Sequence, residues 1–262
     1  MNYAALEIEQ AGPATWIWMN KPEVHNAFDE QLIAELTELI GALDVQPQVR
    51  VIVLGGRGKS FSAGANLNWM RRQGAASAQA NLADARKLAN LFKSLSECAT
   101  PTVARVHGPA LGGGMGLASA CDICIASERA SFATSEVKFG IIPAAISPYV
   151  LRAIGERQAY RYFQTAERID AATAKDLGLA HEVVAAESLD EMVQKIVEAL
   201  LAGGPLSQHA ATGLIRAVAN RPVSAEIVED TARRIATLRS TPEAKEGLAA
   251  FLEKRPANWL RS

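Results

Sequence analysis

Short β-favourable runs alternate with longer segments whose apolar residues recur at helical spacing, and that alternation narrows the chain to an α/β architecture. Residues 3–9 and 14–19 are two such runs divided by Gly12-Pro13, which predicts a hairpin or neighbouring strands. Leu32, Leu36, Leu39, Ile40 and Leu43 then mark one helical face, with Asp29 placed as the N-cap. The apolar run 51–54, bounded by Gly55-Gly56, predicts a strand buried on both faces. Strand, helix, strand in this order implies a right-handed crossover and a parallel pair.

The unit repeats more loosely. Leu82, Ala85, Leu88, Leu91, Phe92 and Leu95 share a helical face, Thr100-Pro101 stops the helix, and residues 102–106 and 123–126 form further strands. Helices are predicted at 148–154, 156–164 and 171–177, the last closed by Gly178. Beyond residues 181–184 the pattern becomes almost wholly helical, over 189–201, 205–219, 224–239 and 242–254. A core of residues 1–200 and a helical region of 201–262 are therefore expected. The second part has too few apolar faces to stand alone, and apolar helices at a C-terminal end predict a homo-oligomer.

Charge excludes some functions. Lys and Arg number 27 against 28 Asp and Glu, with none of the basic excess that neutralises phosphates, so nucleic acid is not an expected partner. No apolar run reaches the roughly 18 residues of a membrane span, and residues 1–10 lack the basic start and apolar run of a signal peptide. Cys98, Cys121 and Cys124 make an odd, sparse set that fits a reducing compartment, so a cytoplasmic protein is expected. No second Cys pair or His pair completes a metal site around Cys121 and Cys124; these read as small buried thiols, and His107 reads as structural.

Two glycine-rich turns carry the chemistry. Gly58-Lys59-Ser60-Phe61-Ser62-Ala63-Gly64-Ala65-Asn66-Leu67 follows a buried strand and leads into a helix, so a free backbone N–H at the turn can face a developing anion, although a tight connection alone also accounts for it. Gly108-Pro109-Ala110-Leu111-Gly112-Gly113-Gly114-Met115-Gly116 follows a strand too, and three consecutive glycines lose entropy that a plain connector has little reason to lose. Neither the dinucleotide spacing nor a phosphate-loop ending is present. Together the turns predict two backbone donors converging on one acyl oxygen. Glu136, in Ser135-Glu136-Val137-Lys138-Phe139-Gly140, is the candidate proton-transfer group.

These segments, with Cys121-Asp122-Ile123 and the continuation to Pro143, resemble the crotonase (enoyl-CoA hydratase/isomerase) superfamily over nearly the whole chain. The resemblance implies an α/β spiral of ββα units with a helical C-terminal trimerisation region, and a homotrimer or homohexamer. It implies oxyanion-hole N–H groups from Ala65 and Gly113, with Glu136 as acid/base. Coenzyme A would be contacted by Ala27, Ala63, Ala65, Asn66, Leu67 and Gly113; it arrives on an acyl-CoA thioester substrate, so no separate cofactor and no metal is expected. The turn from Lys21 to Ala27 is similar to the family segment whose backbone contacts coenzyme A. Hydratases of the superfamily commonly hold a further glutamate two residues after the glycine triplet, where this chain has Gly116.

One carboxylate can serve hydration of a 2-enoyl thioester, by syn addition, or isomerisation of a 3-enoyl thioester. The runs 66–70, 81–86, 143–150 and 153–157 are similar to bacterial 3-methylglutaconyl-CoA and isohexenylglutaconyl-CoA hydratases of leucine and acyclic-terpene breakdown, which implies a hydratase of that substrate type. The alternatives are the isomerase and a non-catalytic acyl-CoA- or RNA-binding member of the superfamily.

Overall fold

The computed structural model describes residues 3–260. From the N-terminus, β1 (Leu6–Ala11) and β2 (Ala14–Met19) pair antiparallel with Leu6 opposite Met19. Helix α1 (Glu30–Asp44) crosses to β3 (Val51–Gly56), which runs parallel to β2. Two helices, α2 (Leu67–Gly74) and α3 (Ala78–Ser96), lead to β4 (Thr102–Val106). Then come β5 (Pro109–Leu111), α4 (Gly113–Ala120), β6 (Ile123–Ser127) and β7 (Ser131–Ala133). The chain continues through α5 (Ser147–Thr165), β8 (Ile169–Asp170), α6 (Ala171–Asp176) and β9 (Glu182–Val184). It ends in α7 (Leu189–Ala202), α8 (Pro205–Val218), α9 (Ala225–Arg239) and α10 (Pro242–Leu252).

The larger sheet has the order β1-β2-β3-β4-β6-β9, and a smaller one the order β5-β7-β8. Within β3 the side chains alternate: Ile52 and Leu54 join the main core, whereas Val51 and Val53 join a second core on the other face. The main core takes Leu32, Ile33, Leu36, Leu39, Ile40 and Leu43 from α1, a burial worth on the order of 10 kcal/mol before chain entropy is subtracted. The second core is closed by Leu189, Val193 and Val197 of α7. Helices α8, α9 and α10 lie beyond it and bury little: none of the residues of α8, Ile227 of α9 and Ala250 of α10.

Several expectations meet the structure with small shifts. Asp29 caps α1 by accepting from the Leu32 N–H at 2.9 Å. The first strand starts at Leu6 because the N–H groups of Ala4 and Ala5 are given to the Glu35 carboxylate of α1 instead of to β2. Helix α3 begins four residues before its first periodic position, held by the Ser77 hydroxyl, which accepts from Ala80 N–H. The two helices read over 148–164 are both present within α5, divided by the non-helical Gly155, where φ is 76° and ψ 157°. All three cysteines are buried and free, and no group of potential metal ligands occurs among the described residues. No helix among the described residues is long and apolar enough to cross a membrane.

Candidate active site

The smaller sheet extends beyond its named strands. Ser62 pairs in parallel with Ala110 through Ser62 N–H to Pro109 O (3.1 Å) and Leu111 N–H to Ser62 O (2.9 Å). Phe28 pairs in parallel with Ala65 through Phe28 N–H to Gly64 O (2.7 Å) and Asn66 N–H to Phe28 O (2.9 Å). Since β5 also runs parallel to β7 with Ala110 opposite Phe132, the segments ending in Ala65, Gly113 and Glu136 lie side by side and point the same way. Ala65 is three residues past Ser62, Gly113 three past Ala110, and Glu136 four past Phe132. Offsets of three, three and four residues deliver all three groups to the same carboxyl-terminal edge, the end of parallel strands where ligands bind in open α/β sheets.

Local geometry frees the two amides. In the Phe28–Ala65 bridge the partner's bonds go to residues 64 and 66, so the N–H of Ala65 turns to the other side. Gly112 gives its own N–H to Ala133 O at 2.8 Å and, with φ 49° and ψ −117°, starts α4 at Gly113, whose N–H belongs to the unpaired first turn. Neither the Ala65 nor the Gly113 N–H is donated to any described residue. Glycine is required at both crossings. A Cβ on Gly64, where φ is 87°, would come 2.9 Å from Leu111 O, and one on Gly113 would come 2.9 Å from the Phe28 ring.

The Glu136 carboxyl stands against this turn. A Cβ on Gly112 would lie 3.2 Å from its Oε1, and Oε2 is buried with no hydrogen-bond partner among the described residues. Burial pushes the proton affinity of the group above the ordinary carboxylate range, with its own backbone N–H opposing. Such a group holds a proton more tightly than an exposed carboxylate does, which suits it to proton transfer. The site thus combines unpaired amides with a poised carboxyl.

Ala63, Ala65 and Leu67 are exposed along the same edge, and Ala27 is buried beside it. Asn66 is partly spoken for: its side-chain oxygen caps α2 by accepting from Asn68 and Trp69. A residue that sequence reasoning missed is Asn26, which is wholly buried. Its Nδ2 lies 2.9 Å from Arg57 O and Ser60 O, its Oδ1 accepts from Lys21 N–H, and its carbonyl accepts from the Ser62 hydroxyl. It fastens the segment before α1 to the turn that carries Ala65. Left-handed φ values of 55° at His25 and 54° at Asn26 are the local signal that an Asn in this turn could have given.

A groove of about 520 Å³ opens elsewhere, lined by Trp16, Trp18, Arg57, Arg105, His107 and Asp190 among others. Arg57 lies 4.1 Å over the Trp18 ring and is paired with Glu7 and Glu9, and Arg105 is paired with Asp190. His107 is tied to Gly58 O at 3.0 Å, a structural link. None of Ala65, Gly113 and Glu136 lines this groove.

Comparison with known proteins places this geometry. A family model described as enoyl-CoA hydratase/isomerase matches residues 10–262. A putative enoyl-CoA hydratase of Thermus thermophilus is 34% identical over 94% of this chain and 97% of its own length. The crystal structure of an enoyl-CoA hydratase from Shewanella pealeana superposes with a TM-score of 0.94 at 41% identity, covering 97% of this chain and 96% of that one. That of a putative enoyl-CoA hydratase/isomerase from Legionella pneumophila gives 0.93 at 44% identity, covering 97% and 98%.

Proposed function

The chain belongs to the enoyl-CoA hydratase/isomerase family and is a hydro-lyase of the enoyl-CoA hydratase type, and from that premise we propose how its three parallel segments share the reaction. The N–H groups of Ala65 and Gly113 receive the thioester oxygen and stabilise the negative charge that gathers there as the enolate forms. The Glu136 carboxylate takes a proton from the water whose oxygen bonds to C3. It then returns a proton to C2 from the same face, so that the double bond is replaced by a C3–OH and a C2–H, and the carboxylate is regenerated.

The observation that carries this reading is the common register by which Ser62, Ala110 and Phe132 bring residues 65, 113 and 136 to one edge. Coenzyme A enters as part of the substrate, against Ala27, Ala63, Asn66 and Leu67, and the reaction asks for no other cofactor.

The finer proposal is a 3-methylglutaconyl-CoA-like substrate, supported by the sequence likeness over residues 66–70, 81–86, 143–150 and 153–157. A second reading, isomerisation of a 3-enoyl-CoA, draws support from Glu136 being a single carboxyl against glycine backbone. Absorbance of the conjugated enoyl thioester tests both. The protein is expected to remove that absorbance from crotonyl-CoA and faster still from 3-methylglutaconyl-CoA; a gain of absorbance from a 3-enoyl-CoA with no loss from either 2-enoyl substrate would replace hydration by isomerisation.

A homotrimer or homohexamer is proposed, supported by exposed Leu248, Phe251 and Leu252 on the terminal helix and Leu214 and Ile215 on α8. A cytoplasmic setting is proposed on the buried free thiols.

A further inference from the structure

One residue touches both of the turns that carry a free amide. The main chain of Phe28 flanks Ala65, giving its N–H to Gly64 O at 2.7 Å and accepting from Asn66 N–H at 2.9 Å. Its ring lies against the other turn. A Cβ on Gly113 would come 2.9 Å from Cε2 and 3.1 Å from both Cδ2 and Cζ of Phe28, so one edge of the ring fills the place that a side chain at 113 would take.

Phe28 is held from both sides. Before it, Asn26 is wholly buried and bonded to Arg57 O, Ser60 O and Lys21 N–H. After it, Asp29 caps α1 through the Leu32 N–H and pairs with Lys21. The ring is 1% exposed and is backed by the buried Phe92 of α3, with centroids 6.1 Å apart. A ring fixed between a β-bridge and a close-packed core has little freedom to shift.

The start of α4 has no such anchor of its own. Residues 112–114 are all glycine, so the position of this first turn depends on what is packed against it. Backbone bonds between the two turns stop at Leu111, two residues before Gly113. The atom nearest to a Cβ position is Glu136 Oε1 for Gly112 and Ser62 O for Gly114, at 3.2 and 2.6 Å. At Gly113, whose N–H is the donor, the three nearest atoms all belong to the Phe28 ring.

Resting on the reading of Ala65 and Gly113 as oxyanion donors, we propose that Phe28 is a positioning residue for that pair. Its main chain aligns the Ala65 N–H, its ring sets where the Gly113 N–H stands, and the separation of the two donors is thereby fixed by one residue. Removing the ring would leave Ala65 bridged but let the start of α4 settle into the vacated space. One donor would then stand off the thioester oxygen while the rest of the substrate kept its contacts, so the loss would fall on the transition state more than on binding.

The test compares Phe28→Ala and Phe28→Leu with Leu39→Ala, which truncates a buried side chain of α1 that belongs to neither turn. Melting temperature is measured for each, with kcat and KM for crotonyl-CoA taken below every melting transition. Phe28→Ala should lower kcat by about 10²-fold with KM nearly unchanged, the effect of misplacing a catalytic group by about 1 Å. Phe28→Leu, which keeps part of the wedge, should lose less. Leu39→Ala should lower the melting temperature and keep kcat.

Raman spectra of crotonyl-CoA bound to Glu136→Gln protein report on the donors directly. The carbonyl stretch should lie below its value in water, and less far below when either Phe28 substitution is added; Phe28→Leu serves alone if Phe28→Ala does not fold. Phe28 variants that keep kcat as Leu39→Ala does, or a parental carbonyl shift that survives Phe28→Leu, would overturn the positioning role by itself. A Glu136→Gln protein that binds the thioester with no carbonyl shift would instead sink the oxyanion reading, and the role of Phe28 with it.

Discussion

Glu136 and Gly112 meet where the end of β7 passes the start of α4: the position of a Cβ on Gly112 is 3.2 Å from Oε1 and 3.8 Å from the carboxyl carbon. The same glycine gives its N–H to Ala133 and leaves the next amide, that of Gly113, without an acceptor among the described residues. One backbone turn therefore sets both the surroundings of the carboxyl and the direction of an oxyanion donor.

Replacing Glu136 by Gln should lower kcat by about 10²–10⁴ while thioester binding persists. The same change should stabilise the fold where the carboxylate is ionised. Burial raises the proton affinity of Glu136, so its favourable contribution is fully present below the unfolded carboxylate range and is lost as pH rises through the folded value. Above the folded value the ionised form weakens the fold, and removing the ionisable group should raise Tm there by about 2–4 °C for each kcal/mol recovered. Calorimetry beside initial rates checks both signs; a lower Tm would place the carboxylate in a favourable ion pair instead.

The pH dependence of kcat/KM should show one acid-side ionisation, lying above the usual carboxylate range because the carboxylate must be ionised to accept the proton of water. Two acid-side ionisations in the free enzyme would point to a second essential carboxyl.

Gly112→Ala places a methyl group in a left-handed conformation and against Oε1. A strained backbone residue of this kind costs about 1–3 kcal/mol. Turnover should fall further than stability does, with kcat more affected than KM, since Gly113 and Glu136 both move. Equal kcat in the variant and the parent would detach this turn from the chemistry.

Asn26→Ala removes the amide that joins the turn before α1 to the turn after β3. The loss should be about 2–4 kcal/mol, from several buried hydrogen bonds and the groups they leave unpaired. Because Ala65 hangs from the same ladder, affinity for a coenzyme A thioester should weaken in the folded variant, measurable by calorimetric titration. Unchanged affinity would assign Asn26 to stability alone.

Much of this was legible in the residues. The period of Leu32, Leu36, Leu39 and Leu43 marks α1, Asp29 caps it, and the uninterrupted run at Val51 marks a strand buried on both faces, since local pattern and final environment agree there. The glycines at 112–114 also signalled close backbone approach. Strands β5 and β8, of three and two residues, are too short to show a period and exist only through their partners. The parallel alignment of residues 62, 110 and 132 is a long-range register that no local run encodes, and the seating of the Phe28 ring on Gly113 joins residues far apart in sequence. Asn26 escaped notice because a buried amide in a turn has the same composition as an exposed one.

The claim on which the rest depends is that two main-chain amides polarise the thioester carbonyl beside the Glu136 carboxyl. Raman difference spectra of crotonyl-CoA bound to the Glu136→Gln protein measure that polarisation without turnover. The account predicts a carbonyl stretch shifted to lower frequency than in water, with the shift diminished when Gly113→Ala is added. A tightly bound thioester whose carbonyl stretch matches that of the free molecule would contradict it.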